Sequence, residues 1–197
     1  MAIVVEHDKR RKNILEKALD VFVEEGFADA TYQKIADRCG ITRTTLYAYF
    51  RNKKEIFNYS IRQLLQKVEE DILQIKSYAK KSSADKLAEI LLDILQHLQD
   101  NRRLLVVLLD YLMYLSRTDA NPDDRVRRRT LKMRHYLSAL IIEGIKSKEF
   151  TKVNIKTAND FLYSFIEAAI FRLVVLKHES IDELKQSVVL AIAQLKR

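Results

Sequence analysis

Apolar residues recur every three or four positions along almost the whole chain, which is the spacing of amphipathic helices rather than of strands. Met1–His7 shows no such period and is expected to be a frayed arm. Asp8 is a candidate cap for the first helix, which carries Ile14, Leu15, Ala18, Val21 and Phe22 on its inner face and ends at Gly26. Two short segments follow, on either side of Cys39-Gly40-Ile41. Asn52 and Glu55 then read as a capping box for a long helix to about Ala79, with Ile56, Leu64, Val68, Ile72 and Ile75 inward. Lys80-Lys81-Ser82-Ser83 is a break before a helix over 84–100 whose stripe is Leu87, Ile90, Leu91, Ile94, Leu95 and Leu98.

The helix expected over 102–117 is apolar on all sides through Leu104–Leu109 and Tyr111–Leu115, which predicts a central place in the larger domain. Asn121-Pro122-Asp123-Asp124 is a helix start: a capping Asn, a Pro at the first helical position and acids in the positive first turn. That helix should reach about Lys146. Asn154 can cap a helix over 157–177, and Ser180 with Glu183 reads as a capping box for the last one. About nine helices result, three in a small N-terminal domain over 1–54 and six in a larger one over 55–197. The fold class is all-α.

The segment 31–54, TYQKIADRCGITRTTLYAYFRNKK, carries the candidate chemistry. Thr31 and Thr42 can each cap a short helix, and Gly40 suits the left-handed turn between them. Ile35, Ala36, Ile41, Leu46 and Phe50 would face inward, leaving Arg43, Thr44, Thr45, Tyr47, Ala48 and Tyr49 on or near the open side. A helix-turn-helix lays such a second helix in the DNA major groove.

The spelling of this stretch, Ile35-Ala36, Cys39-Gly40-Ile41-Thr42, Thr45-Leu46-Tyr47-Ala48-Tyr49-Phe50 and Asn52-Lys53-Lys54-Glu55, closely resembles the DNA-binding domain of the tetracycline-repressor (TetR) family. The resemblance covers residues 9–57, about a quarter of the chain, and departs at Thr44, where many members carry glycine, lysine or proline. It implies a sequence-specific, DNA-binding transcriptional regulator: a ligand-responsive repressor acting as a homodimer on a palindromic operator. It also places Tyr47 and Tyr49 at the DNA, Lys53 at a phosphate, and Thr31 and Tyr32 at the DNA backbone. For Tyr47, packing within the small domain is the alternative.

Family members pair their last two helices with those of a second copy, so Phe165, Ala168, Ala169, Val188 and Ile192 are candidate interface residues. The same helices could instead complete one subunit's core. The resemblance further implies a small-molecule effector, for which Asp110, Tyr111, Tyr114, His135, Tyr136, Tyr163 and Glu167 are candidate pocket residues. Asp110 and Glu167 stand out as carboxylates among apolar neighbours, which calls for a ligand or an ion pair.

Composition agrees with this reading. The chain has 197 residues, three glycines, one proline and one cysteine, and a formal charge of +8. Residues 1–54 hold eleven Lys/Arg and eight Asp/Glu, a balance of +3, so +5 lies beyond them. Lys9-Arg10-Arg11-Lys12 opposes the dipole of its helix, a cost that a nearby phosphate would offset; a solvated helix end is the alternative. Arg125, Arg127, Arg128, Arg129, Lys132 and Arg134 could form a second anionic-ligand surface or pair with neighbouring acids. One cysteine, no secretory leader and no apolar run of membrane length predict a cytoplasmic protein without a membrane partner. Four scattered histidines, with no phosphate loop and no nucleophile elbow, point away from an enzyme and suggest neither a cofactor nor a metal. A helical small-molecule or lipid-binding protein that does not read DNA is the other class to weigh.

Overall fold

A computed structural model describes residues 2–117 and 124–197, with the backbone alone described for residues 2–5, 124–127, 129 and 130. Among the described residues there are nine α-helices: α1 (Ala2–Asp29), α2 (Tyr32–Cys39), α3 (Arg43–Tyr47), α4 (Lys53–Ser77), α5 (Ser83–Asp100), α6 (Arg102–Arg117), α7 (Asp124–Lys146), α8 (Ile155–Ile170) and α9 (Asp182–Ala193). A π-helical turn, Phe171–Val175, continues α8. The described residues contain no strand, only one isolated bridge between Phe150 and Lys196. Helix α1 begins at Ala2, so the expected frayed arm is helical and Asp8 lies inside the helix rather than capping it. No glycine or proline precedes Gly26, and nothing in the sequence stops the helix earlier. The expected start at Asn121 and Pro122 lies outside the described residues.

Two compact units emerge, one from the described residues of Met1–Leu64 and Arg103–Asn121, the other from those of Leu65–Arg102 and Pro122–Arg197. The first half of α4 belongs to one unit and the second half to the other.

Helix α6 corrects the expectation that it would be central in the larger domain, because it belongs to the N-terminal unit. Leu104, Leu105, Val107 and Tyr111 are buried there, while Val106, Met113 and Tyr114 are exposed. A run apolar on all sides in sequence is thus one-sided in the fold. Phe27 is the hub of an aromatic cluster, with ring centroids 5.5 Å from Phe22, 5.3 Å from Phe57 and 4.5 Å from Tyr111. Burying each such ring is worth about 1.5–3 kcal/mol. Arg103 ties the start of α6 to Asp20 at 2.6 Å.

Gly26 ends the regular part of α1 with φ 79° and ψ 163°, a conformation open to glycine and strained for other residues. The freed N–H of Phe27 donates to Asp110 Oδ2 at 2.7 Å. Asp110 is thereby accounted for by a backbone hydrogen bond within the N-terminal unit, and neither an ion pair nor a ligand is required.

In the other unit α5 is central and touches α7, α8 and α9. Leu87, Ile90, Leu91, Ile94 and Leu95 of its stripe are buried, as are Leu137 and Leu140 of α7, Leu162 and Ile166 of α8, and Leu184 and Val188 of α9. Its N-terminus is closed twice: Ser82 accepts from Asp85 N–H at 3.1 Å, and the Glu149 carboxylate accepts from Ser83 and Ala84 N–H at 2.8 and 3.0 Å. The carboxylate also meets the positive end of the helix dipole. Gly144 is needed for packing, because a Cβ there would lie 2.2 Å from the ring of Phe150. Asn154 caps α8 as expected, accepting from Thr157 N–H at 3.0 Å. The capping box expected at Ser180 and Glu183 does not form; Ser180 Oγ accepts from Asp182 N–H instead.

Candidate nucleic-acid interface

The geometry of residues 31–50 follows from a few polar groups close in sequence. Thr31 accepts from Lys34 N–H at 3.2 Å and starts α2. Gly40 stops it with φ 66° and ψ 34°. There the Gly40 N–H donates to Asp37 O at 3.0 Å and the Ile41 N–H to Ala36 O at 3.1 Å, the crossed pair of a Schellman turn. Thr42 then accepts from Thr45 N–H at 3.1 Å and starts α3. Ile35, Ala36, Leu46 and Phe50 are buried beneath the turn, while Ile41 is half-buried. Two ion pairs clamp α2 to α1, Lys34–Glu25 at 2.7 Å and Arg38–Glu24 at 2.5 Å. The Arg38 hydrogen bond holds the Glu24 carboxyl below its usual range.

On the other side of α3, Thr42, Arg43, Thr44, Thr45 and Tyr47 are exposed together. Arg43 leans on Tyr47, its guanidinium nitrogen 3.2 Å from the phenol oxygen. Tyr47 is 50% exposed, and its ring packs on Tyr32 at 4.8 Å. It therefore combines both readings offered for it, one face on the protein and one toward solvent. Tyr49 is half-buried and stacks on His7 of α1 at 4.6 Å.

Two of the predicted contacts are engaged internally. The Tyr32 hydroxyl donates to Phe50 O at 2.5 Å, and burial, its largest cause, pushes its pKa up to about 12. Lys53 Nζ lies 2.7 Å from each of the carbonyls of Phe27, Ala28 and Ala30. An ammonium has three donors, so all of them are engaged on the chain beyond Gly26. Burial lowers the Lys53 pKa, opposed by Asp29. A phosphate contact by this side chain would require breaking those bonds.

Arg10 was the residue that sequence reasoning underweighted. It lines an open cleft of about 760 Å³ with Thr42, Arg43 and Thr45, and a neighbouring one of about 500 Å³ with His7, Lys9, Asn13 and Tyr49. The signal was present in Lys9-Arg10-Arg11-Lys12, whose members behave differently. Arg11 instead covers the rings of Phe50 and Tyr59 at 5.0 and 4.5 Å.

The expected pocket residues are divided between the two units. Asp110, Tyr111 and Tyr114 belong to the N-terminal unit, and His135, Tyr136, Tyr163 and Glu167 to the other. Glu167 is exposed on α8, so the requirement for a partner that would follow from burial falls away. His135 is exposed as well, and Tyr163 lies under the guanidinium of Arg134 at 4.1 Å. Tyr136 lines a cavity of about 20 Å³ with Leu65, Val68, Ile72 and Met133, bordered by the Lys132–Glu69 ion pair. Of the basic cluster on α7, Lys132 thus pairs with Glu69 and Arg134 with Asp160, as neutralisation by neighbouring helices requires.

Among the expected interface residues, Ala169, Val188 and Ile192 are buried in their own subunit, which corrects that assignment. Phe165 and Ala168 are half-buried. The exposed large apolar residues of α8, its π-helical extension with the following Leu176, and α9 are Ile155, Phe161, Phe171, Val175, Leu176, Val189 and Leu190. Period places apolar residues on a helix face, but two faces of these helices are apolar and only packing tells which is inward.

Residues 14–59 match the sequence profile described as "Bacterial regulatory proteins, tetR family". The fatty acid metabolism regulator protein of Bacillus subtilis is 24% identical over 162 residues, 80% of this chain and 79% of that protein. The HTH-type transcriptional regulator SrpR of Pseudomonas putida is 41% identical over 51 residues, 26% of this chain and 24% of its own. The crystal structure of a TetR transcription regulator from Haloarcula marismortui superposes with a TM-score of 0.79 at 24% identity, over 96% of this chain and all of that one. With its capped α2–turn–α3 segment, the stretch 14–59 is thus the N-terminal domain of the tetR family of bacterial regulatory proteins, and the chain as a whole shares the all-helical fold of a solved TetR regulator.

Proposed function

We propose that the protein is a homodimeric, ligand-responsive repressor that reads a two-fold symmetric DNA site through α3. Residues 1–54 serve as the DNA-binding domain and 55–197 as the effector and dimerisation domain. The observation that carries this reading is the exposure of Arg43, Thr44, Thr45 and Tyr47 on one side of a helix whose Leu46 is buried. Arg43 has the donors for guanine O6 and N7, and the threonines offer hydroxyls to bases or phosphates and methyls to thymine. Thr31 and the N–H groups at the start of α2, with Lys9 and Arg10, supply phosphate contacts.

A five-residue helix spans too few base pairs to be selective alone, and a dimer doubles the site. The exposed apolar face of α8 and α9 supports such pairing, since patches of that kind mark association surfaces. A cavity of about 20 Å³ has room for about one water molecule. An effector entering between the second half of α4 and α7 would therefore have to part them, giving it unequal affinity for two conformations, as allosteric release of DNA requires. The name of the Bacillus relative makes acyl compounds the first effector class to test. No described helix is long and apolar enough to cross a membrane.

The test is fluorescence anisotropy on DNA flanking the protein's own gene, across a salt series, with and without acyl compounds. Saturable binding that weakens steeply with salt is expected, with lower affinity when an acyl compound is present. A folded protein with no salt-sensitive affinity for that DNA would sink the reading in favour of a helical small-molecule or lipid-binding protein.

A further inference from the structure

Three potential ligand donors meet between the second half of α4 and α5, within the unit that carries no DNA-reading residues. Asp93 and His97 are four residues apart on α5 and so share a face; Asp71 lies opposite on α4. One donor atom from each lies within 4.8 Å of the other two. His97 Nε2 is 2.8 Å from Asp71 Oδ2 and 3.5 Å from Asp93 Oδ2. In the sequence, Asp93 and His97 lack the histidine or cysteine spacing that marks a ligand motif.

An ordinary ion pair explains only part of this arrangement. A ring nitrogen carries at most one hydrogen, and at 2.8 Å that hydrogen serves Asp71. The 3.5 Å separation from Asp93 is too long for a good hydrogen bond. Asp93 Oδ2 is shielded from solvent and has no hydrogen-bond donor. Lys67 Nζ meets the other oxygen of Asp71, Oδ1, at 2.7 Å and leaves Oδ2 turned toward the histidine.

We propose that Asp71, Asp93 and His97 bind a divalent transition-metal ion, Zn²⁺ by preference, as three protein ligands with a water in the fourth position. A tetrahedral ion with bonds of about 2.0–2.1 Å holds its ligand atoms roughly 3.3 Å apart, between the 2.8 and 3.5 Å that separate His97 Nε2 from the two carboxylates. The donor set of one imidazole and two carboxylates suits Zn²⁺, whereas Ca²⁺ would seek six to eight oxygens and Mg²⁺ an octahedron of them. The ion takes the place of the proton on His97 Nε2, and Lys67 on Asp71 Oδ1 orients that carboxylate from outside the ligand shell. Bound there, the ion staples α4 to α5.

The experiment uses the full chain freed of metal by a chelator and then dialysed. Calorimetric titration with Zn²⁺ should show one ion per chain and a raised Tm. Co²⁺ as a probe should give the visible bands of a tetrahedral nitrogen and oxygen site, without the charge-transfer band of a thiolate. His97→Gln, Asp93→Asn and Asp71→Asn should each weaken Zn²⁺ binding at least tenfold, while Cys39→Ser and His178→Asn leave it unchanged. Three ligand variants on two helices keep the test open if one of them fails to fold, as its circular dichroism melt will show. Failure to find saturable binding overturns the proposal, as does binding that survives all folded ligand variants or disappears with Cys39→Ser.

Discussion

The segment from Thr31 to Phe50 and the outer face of α8 and α9 are both built of short helical stretches, yet they differ in what shapes them. In the first, the capping and turn hydrogen bonds join residues three to five apart: Thr31 to Lys34, Ile41 to Ala36, Thr42 to Thr45. In the second, the shaping contacts are apolar and come from helices distant in sequence, so Val188 is buried while its neighbours Val189 and Leu190 are exposed. Local polar chemistry specifies one conformation almost by itself. Apolar periodicity specifies a set of faces and leaves the choice among them to packing.

That contrast can be broken most sharply at the outer face. Phe171→Glu with Leu190→Glu should leave the fold intact, because both side chains are exposed, and convert the proposed dimer to monomer. Losing the second reading head should lower operator affinity by about 10²-fold or more, checked by sedimentation beside anisotropy. An unchanged sedimentation profile would remove this face from the interface. Val188→Asp, one residue from the exposed Val189, should instead unfold the unit, since it buries a charge without a partner.

A smaller effect is expected inside the same unit. Gly144→Ala places a methyl against the Phe150 ring and should cost about 1–3 kcal/mol in urea unfolding by overpacking. Wild-type stability in that variant would mean that Phe150 has room to move.

Within the reading segment the comparison is sharpened by setting Arg43 against Lys53. Arg43→Ala should lose about 1–3 kcal/mol of discrimination at one base position and leave the melt unchanged. Lys53→Met should lower the Tm of the N-terminal unit while leaving the salt slope of DNA binding unchanged, because its ammonium holds carbonyls. A flattened salt slope in Lys53→Met would restore the phosphate contact that the resemblance implies.

The smallest effect is confined to high pH. The Tyr32 phenol titrates near about 10 when unfolded and is pushed up to about 12 in the fold. The folded state therefore holds the proton more tightly, so this contribution is complete below pH 10 and is lost as pH rises toward 12. Tyr32→Phe should abolish that part of the alkaline stability loss in pH-dependent melts.

Much of this molecule was legible in its residues because the information was local. Thr42 and Gly40 announced α3, Asn154 announced α8, and the bounds of α6 were read directly from its apolar run. The side chains exposed beyond Thr42 could be foreseen because a helix begun at a known cap has a known phase. What tertiary structure decided was the destination of groups with more than one available partner. The Asp110 carboxylate went to a backbone N–H freed by the positive φ of Gly26, and the Lys53 ammonium went to three carbonyls rather than outward. Asp71 was brought to Asp93 and His97 from the preceding helix, 26 positions before His97. Caps act over a single turn and depend on neighbours already fixed by the chain, whereas long polar side chains and apolar stripes are satisfied by whichever partner the packing of distant helices brings near.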